Sequence, residues 1–260
     1  MMGKYRYDIG FVTDPGNVRS ENQDSLIIRC GSMEQTDFAL VAVADGMGGL
    51  AHGAEASTRA VQTLDQWWNE QLSDLLADGY DAAKLKNSLM VAVDRINYAI
   101  FADANAGGEK NGTTLTLAFL YQRQYLLMQV GDSRAYLLRG GKLRQLTKDQ
   151  TWCRAEIDAG RLTEEKAATH PMRHVLISAI GVAEHYMLET QTGKLAPGEG
   201  LLLCSDGFYG EMNPDCFRLE EKDASAQTML DAAAQQLRLG AAEDNLTGVL
   251  LRLERTRGWL

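Results

Sequence analysis

The chain has 260 residues, 45% hydrophobic and 23% charged, with a formal net charge of −9 at neutral pH. This is an ordinary globular composition, sufficient for one large core, and it lacks the basic excess that general nucleic-acid binding requires. No apolar stretch approaches the ~18 residues of a membrane span. Residues 1–8 have no apolar core of the kind a secretory leader carries. The four cysteines, Cys30, Cys153, Cys204 and Cys216, show no CxxC spacing and fit a reducing, cytoplasmic setting. Cys204 stands in an apolar run and reads as a small buried hydrophobe.

In chain order, residues 5–13 alternate polar and apolar and predict a strand, followed by a turn at Asp14-Pro15-Gly16-Asn17. Residues 25–29 and 38–44 predict the next strands. From 54 to 76 the apolar positions fall at helical spacing (Ala60, Leu64, Trp67, Leu72, Leu75), and a second helix follows over 80–104. After Gly107-Gly108 the pattern returns to strands at 113–121, 125–130, 133–139 and 142–146, with a tight hairpin at Gly140-Gly141. Residues 151–168 predict a polar helix, then a loop through His170-Pro171. Strands are predicted at 186–192 and 200–204, a helix at 225–239 and a last strand at 246–253. Strands and helices do not alternate, which disfavours a doubly wound parallel sheet and favours stacked antiparallel sheets with helices outside. Without a linker or composition break, a single domain over residues 1–260 is expected.

Five aspartates punctuate this pattern. Asp24 lies in Asn22-Gln23-Asp24, Asp45 in Asp45-Gly46-Met47-Gly48-Gly49, and Asp132 in Gly131-Asp132-Ser133-Arg134. Asp206 lies in Cys204-Ser205-Asp206-Gly207, and Asp244 in Glu243-Asp244-Asn245. Singly, each is ordinary turn chemistry. Together they repeat one device beside strand after strand. Several such carboxylates stay ionised together only if cations sit among them. An all-oxygen set without a Cys/His cluster points to Mg²⁺ or Mn²⁺.

Arg19-x-x-x-Gln23-Asp24, Asp45-Gly46-Met47-Gly48-Gly49, Gly112-Thr113-Thr114, Gly131-Asp132-Ser133, Ser205-Asp206-Gly207 and Asp244-Asn245-x-Thr247 occur in that order. The series resembles the bacterial branch of the metal-dependent (PPM, type 2C) serine/threonine protein phosphatases, from about residue 10 to residue 253. The resemblance implies an α+β, four-layer α-β-β-α sandwich. Its two antiparallel sheets would be flanked by helix pairs, with a metal cleft at one end. It implies that Asp45 bridges two tight Mn²⁺ or Mg²⁺ ions, the Gly46 carbonyl binds one, and Asp206 and Asp244 complete the other. Asp24 would act through metal-bound waters, Asp132 with Asp206 would form a weaker third site, and Arg19 would clamp the substrate phosphate. A water bridging the two ions would attack phosphoserine or phosphothreonine in cytosolic proteins, reversing a Hanks-type kinase, with the enzyme a monomer. The segment 147–174 would form a flap that selects substrates.

Three positions depart from the family pattern. His52 stands two places later than the histidine that follows the paired glycines in many bacterial relatives. Gln150 replaces a usual histidine. Met47 occupies the place of the histidine proposed as general acid in the eukaryotic branch. None is an expected metal ligand, and the leaving-group acid is left to solvent or a metal-bound water.

Other readings carry less. Gly131-Asp132-Ser133 lacks the downstream Asp-x-x-His of a GDS esterase. His170 and His174 have zinc-helix spacing, but Pro171 lies between them and the Glu base is missing, so a loop beside the cleft is expected. The glycine loop after Asp45 lacks the Lys-Ser/Thr of a phosphate-binding loop. Trp67-Trp68 reads as core plus edge. A pseudophosphatase-like regulatory module on the same fold would typically have lost metal carboxylates; all five are present.

Overall fold

The protein is described here from a computed structural model covering residues 5–34, 36–48, 52–107, 111–218 and 224–255. Gly49 and Gly108, named above, lie outside the described residues. In chain order the elements are β1 (Tyr5–Asp14), β2 (Asp24–Met33), β3 (Thr36–Met47), α1 (His52–Ala77) and α2 (Ala82–Gly107). Next come β4 (Gly112–Thr113), β5 (Leu115–Tyr121), β6 (Gln124–Val130), β7 (Arg134–Arg139) and β8 (Lys142–Gln145). Then follow α3 (Trp152–Asp158), α4 (Glu164–Ala168), β9 (Glu189–Lys194), β10 (Gly200–Cys204), α5 (Asp206–Gly210), a 3-10 turn at Pro214–Phe217, α6 (Ala226–Leu239) and β11 (Leu246–Arg255).

Two antiparallel sheets result. One has the order β1-β11-β10-β7-β8; the other runs β2-β3-β5-β6-β9, with β4 also on β3. Alternation along the strands sorts side chains into three apolar layers. Val41, Val43, Ala118 and Leu120 from one sheet meet Leu137, Leu201, Val249 and Leu251 from the other. On the outer face of the second sheet, Leu40, Leu117 and Phe119 pack against Leu64 and Trp67 of α1 and Leu89, Val93 and Ile96 of α2. Opposite, Leu202, Leu250 and Phe208 meet Met229, Leu230 and Leu237 of α6. This is the expected four-layer α+β sandwich. Each fully buried large side chain contributes roughly 1.5–3 kcal/mol to it.

Trp67 is buried and its indole N–H donates to Ser88 Oγ (2.8 Å), while half-buried Trp68 sits against Phe38 and Phe119. The Gly140-Gly141 hairpin forms, with both residues at positive φ. Cys204 is buried as expected.

Several boundaries differ from the sequence reading, with β2 running on to Met33 and β3 starting at Thr36 among them. The helix expected over 151–168 is two short helices. Gly160, at φ +70°, follows the end of α3, and Thr163 caps a new start by accepting from Lys166 N–H. The strand expected at 186–192 begins at Glu189, because Tyr186 is held toward α2 by its hydroxyl bond to Asp94 (2.6 Å). The segment after Cys204, given no element from sequence, turns at once into α5.

Candidate metal and phosphate site

Antiparallel pairing by itself gathers the carboxylates at one end of the sandwich. Asp24 opens β2 and stands opposite Asp45 near the end of β3. Asp132 leaves the end of β6, Asp206 follows the end of β10, and Asp244 precedes the start of β11. The two sheets are tied here by Ser205 Oγ, which donates to Asp24 Oδ2 (2.7 Å) and accepts from Thr247 N–H (3.1 Å).

The backbone around Asp45 is locked by hydroxyls. Thr114 N–H donates to the Asp45 carbonyl (2.8 Å), but the return bond from Asp45 N–H goes to Thr114 Oγ1 (3.0 Å) rather than to a carbonyl. Thr113 Oγ1 adds a bond to the Asp45 carbonyl (2.9 Å), and Thr114 Oγ1 is in turn bonded to Ser133 Oγ (2.7 Å). The ladder is thereby interrupted at Asp45 itself. Gly46 is required beside it, since a Cβ there would strike the Gly53 carbonyl at the start of α1.

The carboxylates strongly perturb one another. Burial, then the charges of Asp24, Asp206, Asp132 and Asp244, push Asp45 well above the usual carboxylate range. Burial pushes Asp24 up to about 7, outweighing bonds from Ser205 and Thr247 that favour its charged form. Asp132 is pushed up to about 7 by burial and by Asp206 and Asp149. Burial also works to raise Asp206, but His174, whose Nδ1 lies 3.4 Å from Asp206 Oδ2, and a hydrogen bond from Asp45 hold it below the usual range. The same contact raises His174. Such a cluster disfavours its own ionisation, which is the electrostatic signature of a cation site.

Among the described residues no three Asp, Glu, His or Cys side chains close into a ready cage around one point. Mg²⁺ and Mn²⁺ take few protein ligands and keep several waters. The donors present are all oxygen, which fits those ions rather than zinc.

Arg19 lies at the rim, exposed, with Nη2 3.0 Å from Asp244 Oδ2. Its loop is fastened by Asn245, a buried residue given no role in the sequence reading. Asn245 Oδ1 accepts from Gln23 N–H (2.8 Å), and Nδ2 donates to the Pro15 and Glu21 carbonyls (both 3.0 Å). Adjacency to Asp244 was the one available signal.

Gln150 also acquires a purpose. It is buried, its Oε1 accepts from Gly131 N–H (2.8 Å), and its Nε2 donates to the Met187 carbonyl (3.1 Å). It pins the turn that presents Asp132. Gly131 there has φ +99°, and a Cβ would meet Thr114 at 2.7 Å. Met47 is half-buried near Gly112, and His52 opens α1 with Nδ1 3.6 Å from Glu55.

A cleft of about 940 Å³ runs outward from the carboxylates. Asp132, Asp206 and Asp244 line its inner end, and α3, α4 and Arg173-His174 line its wall. His174 is thus the loop histidine expected beside the cleft, and His170 stacks on Trp152 instead (5.0 Å between centroids). Arg134 braces the floor through a two-pronged pair with Asp149 (2.8 and 2.6 Å), its guanidinium 3.6 Å from the Tyr209 ring centre.

Residues 18–250 match the family described as protein phosphatase 2C. The serine/threonine phosphatase stp of Listeria monocytogenes is 33% identical over 253 residues, 95% of this chain and 96% of that protein. The serine/threonine protein phosphatase PstP of Mycobacterium tuberculosis is 33% identical over 244 residues, 92% of this chain and 43% of that longer protein. The S. agalactiae serine/threonine phosphatase structure superposes with a TM-score of 0.85 at 27% identity, over 95% of this chain and 99% of that one. The PstP catalytic domain in complex with two manganese ions gives a TM-score of 0.77 at 29% identity, over 96% and 98%.

Proposed function

Since this chain belongs to the protein phosphatase 2C family and is a serine/threonine protein phosphatase, we propose that it dephosphorylates cytosolic phosphoproteins at the five-aspartate cleft, opposing a Hanks-type kinase. The observation that carries the reading is the convergence of Asp24, Asp45, Asp132, Asp206 and Asp244 at one end of the sandwich, where their charges help raise Asp24, Asp45 and Asp132.

Asp45, Asp206, Asp244 and the Gly46 carbonyl would hold two Mn²⁺ or Mg²⁺ ions, with Asp24 acting through waters and Asp132 with Asp206 offering a weaker third position. When bound, such ions supply the charge that acidifies a water and neutralises the phosphoryl oxygens. The chain's own residues do the rest. Asp24 holds Ser205 and so fixes one sheet against the other. Asp45 is aimed by Thr113 and Thr114. Arg19 offers a planar fork to phosphate, and its contact with Asp244 parks it beside the reacting centre. The segment 147–174 walls the cleft as a flap and acts with the sandwich as one catalytic domain.

The test is turnover of p-nitrophenyl phosphate and of phosphothreonine peptides with Mn²⁺ or Mg²⁺. Turnover of both, abolished by excess EDTA and restored by Mn²⁺, is expected. Full activity in EDTA, or strict dependence on zinc, overturns the reading.

A further inference from the structure

Beyond His174 the chain leaves the metal end as an exposed, extended segment. Thr151 and Leu176 form an antiparallel bridge: Trp152 N–H donates to the Val175 carbonyl (2.8 Å), and Ile177 N–H donates to the Gln150 carbonyl (2.9 Å). Successive residues of an extended chain turn their backbone groups to opposite sides. The N–H and C=O of Leu176 therefore point away from residues 150–152, and among the described residues neither makes a hydrogen bond. The side chains on either side are apolar and open to solvent: Val175 is 40% exposed and Ile177 48%. Scattered exposed apolar residues need no explanation. Val175 and Ile177 flank the unpaired N–H and C=O of Leu176 at this isolated bridge, groups with which another extended chain can pair.

The segment is close to the chemistry. His174, two residues before Leu176, touches Asp206. At about 3.3 Å per extended residue, Leu176 lies within roughly 7 Å of chain of that contact.

We propose that this segment docks the protein substrate: an extended phosphopeptide pairs with the backbone of Leu176, and apolar side chains near its phosphoresidue rest on Val175 and Ile177. Backbone pairing supplies affinity, and alternate side chains supply preference. The carboxylate-rich surroundings and the net charge of −9 favour an apolar rather than an acidic flank. The substrates selected are unfolded segments with an apolar residue about two positions from the phosphoserine or phosphothreonine. This rests on the phosphatase reading above.

The experiment uses the full chain with Mn²⁺ and a phosphothreonine peptide with apolar flanks. The peptide is N-methylated at one amide at a time, from roughly four residues before the phosphothreonine to four after, a span set by the reach of an extended strand. Methylation of one amide two or three residues from the phosphothreonine should raise KM roughly tenfold, the scale of one lost hydrogen bond, with kcat unchanged. The double variant Val175→Ser/Ile177→Ser should raise KM for the same peptide severalfold and leave p-nitrophenyl phosphate kinetics unaltered. A flat methylation scan with normal p-nitrophenyl phosphate turnover overturns the docking segment alone. Equal losses on both substrates in the double variant also overturn it. Absence of turnover of either substrate by the unaltered protein overturns the phosphatase reading and the docking segment with it.

Discussion

At the residue scale, the site separates groups that meet the reacting phosphate from groups that hold them in place. In the proposed mechanism Asp45 would be shared between two ions, and its main chain is fixed by Thr113 and Thr114. Asp45→Asn keeps the volume but removes the charge. It should lower kcat at least a thousandfold, of the order of a lost electrostatic centre, while raising the melting temperature of the EDTA-treated protein by relieving repulsion among the carboxylates. Calorimetry with and without Mn²⁺ checks both halves. Arg19 is exposed and, among the described residues, bound through Asp244 Oδ2 alone, so it contributes little to the fold. Arg19→Ala should raise KM for phosphoesters about tenfold with kcat nearly unchanged, since a ground-state clamp gives uniform binding. A fall in kcat at constant KM would place Arg19 on the transition state instead.

At the scale of elements, the loop between β1 and β2 and the start of β11 act as one unit because Asn245 staples them. Asn245→Ala leaves the Gln23 N–H and the Pro15 and Glu21 carbonyls without that partner. The expected cost is about 2–3 kcal/mol, or a melting temperature lower by roughly 5–10 °C. Because Arg19 rides on this loop, KM should rise as well, and Asn245→Asp should recover little stability, since its carboxylate oxygen would face the Pro15 and Glu21 carbonyls and add charge beside Asp244. Thermal unfolding and steady-state kinetics on the two variants test this. Gln150 does the same for the Gly131-Asp132 turn, and explains how a residue that departs from the family pattern still serves the site.

At the scale of the whole molecule, the sandwich brings together charges that oppose folding until cations arrive. The folded-state pKa values of Asp24 and Asp132 are raised to about 7, well above the unfolded carboxylate range. Their folded forms bind protons more tightly, so the stability they contribute is full in acid and is lost as pH rises toward and through about 7. The EDTA-treated protein should therefore melt at a lower temperature at pH 8 than at pH 5. Mn²⁺, which binds the folded state, should raise the melting temperature most at the alkaline end. A melting temperature that climbs from pH 5 to pH 8 without metal would contradict this electrostatic account.

Much of this was readable from the chain. The period-2 runs predicted most strands, the three-to-four spacing predicted α1, α2 and α6, and the absence of βαβ alternation predicted antiparallel sheets. The Asp-Gly and Gly-Asp turns marked Asp45, Asp132 and Asp206 because a strand end with a small neighbour leaves a local signature. The strand at β9 was misplaced by three residues, since Tyr186 continues the alternation while its side chain belongs to α2. The polar helix over 151–168 divided because cap residues outweigh a periodicity that few apolar residues support. The roles of Ser205, Thr113, Thr114 and Gln150 had no local signature, and Asn245 had only its adjacency to Asp244. Each works through a hydrogen bond to a residue distant in sequence, as Ser205 does to Asp24. Short-range pattern records which face of a strand is buried; which strand lies opposite, and hence which hydroxyl or amide meets which carboxylate, is decided only when the sheets pair and stack.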